Sequence, residues 1–454
     1  MATFRLDAAP MQSHGKVKES GLLQHGYSKH HADLAQFKLK LCTLDNDLNH
    51  FAYPITHLTV SGEKSDDVLY AEILNKSKQV LSGIKGYEKG NLYVGDSKFG
   101  SIGNRVRVVG EGDYYLLPLS LVQLGQSERE LTITNTASST YLKVELKAEN
   151  KESVLIAEGF ETSEALEYEQ DGVLLKWDER RLYVHSLAYA NSAKKAFDKR
   201  INTAVECLSQ LTERKKGKKV LQNVGEYQEA IDKILKENNL TDFLTVKIET
   251  KTLEKEVNAW GKRPKRTEIE LIFEIEVSKN EVAIEAHKRL LGWQVYATNA
   301  PAELLTFEKC VWKYRHQSNI ESRFDEIRNK MAPLLPLFLQ KDLRIKGLVN
   351  LLLLALKVCS VLEYKMAKAL NDNNQELKQI YEGNPKRASK RPSAKRILSA
   401  FKGISIAIIF SEKQGKYAFI TKLEPVQIKI LKLLDINTDV YYNLCDNIQL
   451  FFSG

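Results

Sequence analysis

The order of hydrophobic patterns across residues 3–119 does most to limit what this chain can fold into. Residues 3–9 (TFRLDAA) have the character of a short strand carrying Asp7, and a polar loop with Gly15, Gly21 and Gly26 follows. In residues 36–44 (QFKLKLCTL), Phe37, Leu39 and Leu41 alternate with Lys38 and Lys40, the period of two expected of a half-buried strand. Residues 51–60 (FAYPITHLTV) make a third β-rich run, in which Pro54, lacking an N–H, points to an edge position or a bulge. Residues 65–83 read as a helix: Ser65 suits the N-cap, and Asp66 and Asp67 meet the positive end of the helix dipole. Residues 91–96 (NLYVGD) then form a buried strand ending in Asp96, and a further strand lies near 114–119.

Three strands, a helix, a strand, a short helix and another strand is the order of an RNase-H-like mixed α/β core. Asp7 on its first strand and Asp96 at the end of its fourth would be neighbours. From about 122 to 290 the texture changes. Residues 130–160 and 171–187 read as short alternating strands with a turn at Asp171-Gly172, and 192–238 as helical around a basic turn at 214–219 (RKKGKK). Strand character returns at 243–250 and 268–277. The α/β texture resumes at 291–298 (LGWQVYAT), before apolar helices near 334–370, a basic segment at 384–396 and helical patterns over 424–450. The expected organisation is a core of 1–121 and 291–370, interrupted by a β-rich insertion with a helical hairpin at 122–290 and followed by a basic, helical C-terminal region at 371–454.

At 454 residues with 43% hydrophobic content there is room for two or three domains with real cores. The net charge of +9, from 67 basic and 58 acidic residues, favours a polyanionic partner such as nucleic acid or an anionic membrane. Cys42, Cys207, Cys310, Cys359 and Cys445 are scattered without a CxxC pair, which argues against a zinc module or disulfide framework and fits a reducing cytosol. Residues 1–20 are polar and mixed in charge, unlike a signal peptide. The most apolar stretch, 347–356 (GLVNLLLLAL), is shorter than the roughly 20 residues of a bilayer span. It reads as a buried helix, and no membrane partner is expected.

The segment 312–330 (WKYRHQSNIESRFDEIRNK) reads as one helix. Tyr314, Gln317, Glu321 and Arg328 are spaced i, i+3, i+7 and i+14, and at 3.6 residues per turn they fall within about 60° of one another. Ile320, Phe324, Ile327 and Met331 make the adjacent apolar face. A lone carboxylate among cations suits a metal ion close to a polyphosphate backbone. A solvated face with salt bridges has the same pattern.

Asp7, Asp96 and Glu321 are the central candidates. Phosphodiester cleavage and strand transfer need a water or a 3′-hydroxyl activated and a leaving oxygen stabilised, which two Mg²⁺ ions about 3.5–4 Å apart can do. Holding two hard cations takes several carboxylate oxygens converging on one cavity. Three acids chosen from 58 prove nothing by spacing alone, but the text around each is more specific. RLDAAPMQSHGKVKESGLLQHGYSKHHADLAQFKLKL at 5–41, GNLYVGDSKFGS at 90–101, WDERRLYVHS at 177–186 and LGWQVYATNAP at 291–301 come in one order. YRHQSNIESRF at 314–324, DLRIKGLVNLLLLAL at 342–356 and GNPKRASKRPSAKRIL at 383–398 continue it. Together these runs, covering nearly the whole chain, resemble the DDE transposases of bacterial insertion sequences, in the branch whose RNase-H-like core is interrupted by a β-rich insertion.

The resemblance implies that Asp7, Asp96 and Glu321 are the metal-binding acids of cut-and-paste DNA transposition, served by two Mg²⁺ (or Mn²⁺) ions. It implies transposon-end and target DNA as partners, a homodimer on DNA, and a bacterial cytoplasmic, nucleoid-associated location. The family's signature around the third acid is tyrosine, arginine, glutamate and lysine. Tyr314 and Glu321 match it, Gln317 stands for the arginine, and Arg328 for the lysine. Arg328 keeps the charge in a bulkier fork, whereas Gln317 loses a cation that would contact the transferred strand end. Ala9 stands where relatives tend to have a hydroxyl residue. Relatives also usually carry a helical domain before the first catalytic strand, whereas Met1 here lies just before Asp7, so a truncated copy or a misplaced start is expected. A truncated, inactive DNA-binding remnant is therefore the alternative reading, and a structure-selective nuclease of the same fold a further one.

Other residues divide between chemistry and structure. Gly26-Tyr27-Ser28-Lys29 suits either a DNA contact, with Lys29 at the phosphate, or a plain loop. Lys98, two residues past Asp96, is a phosphate contact or a surface lysine. His30 and His31 read as solvated loop residues. In relatives an aromatic in the insertion can stack on a flipped base; Trp177, beside Arg180 and Arg181, is the better candidate and Trp260 the other, with a core tryptophan as the competing reading. The segment 384–396 holds Lys386, Arg387, Lys390, Arg391, Lys395 and Arg396 with no acid, and Pro385 and Pro392 should keep it extended against a phosphate backbone. Residues 262–266 (KRPKR) are a smaller cluster of the same kind.

Overall fold

A computed structural model describes the chain except for residues 19–20, 27–32, 46–51, 85, 147–151, 171, 214–220, 258–265, 331–332, 412–414 and 445–454. It divides into two units. The first comprises Met1–Gln123, Ser163–Arg181 and Tyr296–Gly454, and the second Leu124–Thr162 and Leu182–Val295.

In the first unit β1 (Thr3–Ser13), β2 (Ala35–Asp45) and β3 (Ala52–Ser61) form an antiparallel meander that sets Asp7 opposite Leu41 and Ala8 opposite Lys40. After α1 (Asp66–Ser82), β4 (Leu92–Val94) pairs parallel to β1; after α2 (Ile102–Gly110), β5 (Tyr114–Pro118) pairs parallel to β4. The strand order is β3-β2-β1-β4-β5, and residues 296–298 of the strand Trp293–Thr298 pair antiparallel with β5. This is the RNase-H-like mixed sheet that the sequence order implies. Pro54 lies on β3, the edge strand, next to the register shift between Cys42 and Thr43, so its missing N–H leaves no central ladder broken.

One face of β1 and β2 buries Met11, Phe37, Leu39 and Leu41 against Ile320, Phe324 and Ile327, and against Ile345, Val349 and Leu353 of the long helix Asp342–Asp372. Each such side chain contributes about 1.5–3 kcal/mol when fully buried. Helix α1 closes the other face. The lysines read as the solvent side of β2 therefore meet a helix, and Lys40 is wholly buried. By length and composition alone Asp342–Asp372 could cross a membrane. One side of it is packed in this core, while Leu351, Leu354 and Val358 are exposed.

The segment 312–330 is not one helix, and the single polar stripe drawn for it does not form. A helix at Phe307–Arg315 ends before His316, a second runs Ser318–Asp325, and a π-helical turn follows at Glu326–Lys330. The cause of the first break lies in Arg5. Its guanidinium donates to the Lys313 carbonyl at 2.7 Å, the acceptor that Gln317 N–H would use in a continuous helix. Gln317 N–H donates to Tyr314 O at 3.1 Å instead, and the turn tightens. The apolar face survives, because Ile320, Phe324 and Ile327 are all buried.

In the second unit, helices Leu187–Ser209 and Val224–Glu237 pack Phe197, Ile201, Leu208, Ile231 and Leu235 with Leu244, at the base of the antiparallel ribbon Leu244–Val257 and Arg266–Lys279. Of the short strands read over 130–160, Leu142–Leu146 and the strand that begins at Val154 are present, whereas the first residues of that range lie in a helix, Gln126–Asn135. There Thr132 donates its hydroxyl to Glu128 O at 2.8 Å and Gln126 bonds Glu130, which accommodates the β-branched run. Of the run read at 171–187, Val173–Ser186 is one long strand neighbouring Val154–Gln170, with Gly172 before it at φ +77°, and Leu187 opens a helix.

The C-terminal part of the first unit packs Met366, Leu370, Leu377, Ile380, Ile397, Val426 and Ile430 together. The 384–396 run is accordingly folded and not extended. Leu377 and Ser389 bridge antiparallel, Pro392 is buried, and Ala394–Ser399 is helical.

Candidate active site

Asp7 sits mid-way along β1, next to the parallel strand β4 whose C-terminal end leads into Asp96. Its Oδ1 accepts the Ala8 N–H at 2.7 Å. Loss of hydration pushes its carboxyl up to about 7, and the charges of Asp96 and Glu321 push the same way, against the Ala8 hydrogen bond and the attraction of Lys40. The three acids that lie far apart in the chain therefore share one electrostatic neighbourhood.

Asp96 is held from several directions. Its Oδ1 accepts the Tyr70 hydroxyl at 2.6 Å, the Lys98 N–H at 2.9 Å and the Phe99 N–H at 3.2 Å. The turn that supplies these N–H groups needs Gly95: a Cβ there would stand 2.7–2.9 Å from the Phe99 side chain. Tyr70 is buried on α1, tilted against Phe99 at 5.0 Å, and its hydroxyl pKa is driven well above the usual value by burial and by the charges of Asp96 and Asp7. It stays a proton donor to Asp96.

Lys40 completes this floor. Its Nζ lies 2.9 Å from the Tyr70 ring centroid, and burial lowers its pKa to about 7 against the pull of Asp96, Asp66 and Asp7. The sequence reading missed both Lys40 and Tyr70. The signal for Lys40 is its place opposite Ala8, legible only once the β1–β2 register is known.

Glu321 lies in the first turn of Ser318–Asp325 and is exposed. The Tyr314 ring lies tilted against Tyr296, centroids 4.4 Å apart, and its hydroxyl is pushed up to about 12 by burial and by Asp96, Asp7 and Glu321. Gln317 accepts from Arg5 Nη1 at 3.4 Å, while Arg5 also grips Asp45 with two bonds of 2.7 Å. Arg328 donates to Pro10 O at 3.2 Å, bracing β1 three residues beyond Asp7. Gln317 and Arg328 thus each have a structural partner. Lys98 is exposed beside Asp96.

Three carboxylates, with no thiolate or imidazole among them, suit a hard divalent cation, and the raised Asp7 pKa is the strain that such a charge would relieve. Among the described residues, however, no three His, Cys, Asp or Glu side chains stand close enough together to ligate a metal ion.

Trp177 donates its indole N–H to Tyr115 Oη at 3.0 Å; Tyr115 in turn donates to Glu179 Oε2 at 2.6 Å, which also pairs with Arg105 at 2.6 Å. This buried network gives Trp177 a structural anchor. Lys386, Arg387, Lys390 and Arg391 are exposed, with Arg387 stacked 4.3 Å over Tyr381. Lys29, His30, His31, Trp260, Met331, Cys445, the basic run 214–219 and residues 262–265 lie outside the described residues.

No family model matches the chain, and no curated protein does. Among solved structures the chain is similar to a cryo-EM structure of the piggyBac transposase synaptic complex with hairpin DNA. The identity is 11% and the TM-score 0.22, over 34% of this chain and 32% of that one. The match spans about a third of that protein's length, and a likeness so slight adds nothing to the argument from geometry.

Proposed function

We propose that this chain is a DDE-type transposase that cleaves DNA at the ends of a bacterial insertion sequence and joins the freed ends to a target, by cut-and-paste transposition. The observation that carries the reading is the electrostatic convergence of Asp7, Asp96 and Glu321 on an RNase-H-like sheet. Asp7 and Asp96 would share the Mg²⁺ or Mn²⁺ ions, and Glu321 would complete the second site. When bound, two such ions activate a water or a 3′-hydroxyl and stabilise the leaving oxygen.

The chain's own residues prepare that chemistry. Tyr70 and the Lys98 and Phe99 amides fix the orientation of Asp96. Tyr314, kept protonated, can donate to a phosphate oxygen, and the exposed Lys98 offers a cation two residues past Asp96. A homodimer gripping both element ends in the bacterial nucleoid belongs to the same proposal. The alternative, a DNA-binding remnant without transposition activity, is favoured by the absence of a ligand-spaced acid cluster among the described residues.

The separating experiment is nicking of DNA carrying the parent element's ends, with Mg²⁺ or Mn²⁺, by the wild type and by Asp96→Ala. Loss of nicking in the variant is expected; equal behaviour of the two chains sinks the catalytic reading. Tyr70→Phe should keep the fold, since the ring stays, but lose the hydrogen bond that orients Asp96. The Mg²⁺ concentration for half-maximal nicking should rise about 10–100-fold. An unchanged Mg²⁺ requirement would remove Tyr70 from the site.

A further inference from the structure

A groove of about 1040 Å³ lies in the C-terminal part of the first unit and shares no residue with the acid site. Its wall includes Lys378, Lys386, Lys390 and Lys429, against one carboxylate, Glu376. Among the described residues, none of the four lysines has an acid within ion-pair distance, and all four are exposed. The wall is rigid. Leu377 and Ser389 exchange backbone hydrogen bonds of 2.9 and 3.0 Å, Gln379 N–H donates to Pro385 O at 3.2 Å, and Lys429 donates to Glu376 O at 3.2 Å. Gln379 and Asn374, both in the wall, hold φ of +64° and +46°, a left-handed backbone that costs free energy for residues other than glycine.

We propose that this groove is a docking track for the phosphate backbone of duplex DNA, read without regard to sequence. The proposal rests on the reading of the chain as a DNA-acting enzyme. It extends the contact surface from the 384–396 run to Lys378 and Lys429, which come from other parts of the chain. Charge supplies the partner. A wall with three net positive charges and no internal ion pairs attracts a polyanion, which releases its own counterions on binding there. The lining contains no Phe, Tyr or Trp, so unpaired bases would find nothing to stack on, which favours a duplex over a single strand. An acidic protein partner would want aromatic or aliphatic anchors, and Val426 with two prolines is a poor supply of them.

The test is equilibrium binding of the full chain to a duplex of arbitrary sequence across a NaCl series, followed by fluorescence anisotropy. The triple variant Lys378→Gln/Lys386→Gln/Lys390→Gln leaves Lys429 to hold its carbonyl, and circular dichroism checks that it folds. Each lost phosphate contact lowers the slope of log K against log salt by about 0.9, so a fall of about 2–3 is expected. The triple Lys→Arg variant should keep the wild-type slope. An unchanged slope in the glutamine variant overturns the proposal. So does loss of binding to a poly-glutamate peptide with DNA binding intact, which would assign the groove to an acidic protein. If the wild type binds no duplex at all, the DNA reading of the whole chain fails, an outcome distinct from the failure of the groove alone.

Discussion

Asp7→Asn is expected to be more stable than the wild type at pH 8, no more stable at pH 4, and unable to nick DNA. The folded Asp7 carboxyl titrates at about 7, against about 3.9 in an unfolded chain. Below pH 4 the group is protonated in both states and adds nothing to the difference. As pH rises from 4 to 7, the unfolded chain has released a proton that the folded chain still holds, and stability falls; above 7 the full penalty is in place. Three pKa units correspond to about 4 kcal/mol, and partial exposure reduces that to the order of 2–4 kcal/mol. The asparagine removes the buried charge, although Lys40 then loses one of its three attractions, which trims the gain. Lys40 shows the opposite linkage: with its pKa depressed to about 7 against about 10.4 in an unfolded chain, stability falls as pH drops from about 10 to 7, and below 7 the full penalty is in place. The two penalties meet near neutrality, where a divalent cation would act. Urea unfolding at pH 4 and pH 8, with and without Mg²⁺, checks this. Mg²⁺ should stabilise the wild type and not the variant. A variant that is less stable at pH 8, or that gains equally at both pH values, removes the electrostatic account of this site.

The RNase-H-like strand order was legible because it depends on local signals, namely alternation, a helix cap and a proline at an edge. The nearness of Asp7 to Asp96 was legible for the same reason, since adjacent parallel strands bring them together once that order is fixed, while the role given to them came from the resemblance alone. Lys40 was not, because period-two alternation cannot say whether the second face of a strand meets water or a helix. The break at His316 and Gln317 was hidden for a different reason. It depends on Arg5, about three hundred residues earlier, reaching a single carbonyl in the 312–330 segment. No helix propensity in that segment records the intrusion, so a stripe drawn on an ideal helix failed there while its apolar side, set by burial, held. Residues 384–396 show a similar limit: two prolines disfavoured helix, but the core beneath Pro392 and Ile397 folded the run all the same.

Arg323→Ala is expected to destabilise the first unit by about 3–5 kcal/mol, without touching any of the three acids. Arg323 is wholly buried on the Glu321 helix, one turn after Ile320 and next to Phe324 in the chain. It pairs with Glu363 of the long helix at 3.4 Å and Glu326 at 3.2 Å, and it donates to Ser360 at 3.3 Å. Glu363 also accepts the Ala394 N–H at 2.9 Å, so one carboxylate ties the Glu321 helix, the long helix and the C-terminal core together. Removing the guanidinium takes from the buried Glu363 carboxylate the cation paired with it, and the desolvation cost of that charge, more than the lost attraction, sets the size of the effect. The double variant Arg323→Met/Glu363→Leu separates the two contributions. It removes both charges and fills the space, so it should recover much of the loss, apart from the bond to Ala394. Urea midpoints for the two single variants and the double variant give the coupling directly. If the double variant is as unstable as Arg323→Ala, the buried charge is not the cause and the guanidinium's packing is. If Arg323→Ala costs less than about 1 kcal/mol, the ion pair does not hold the Glu321 helix at all.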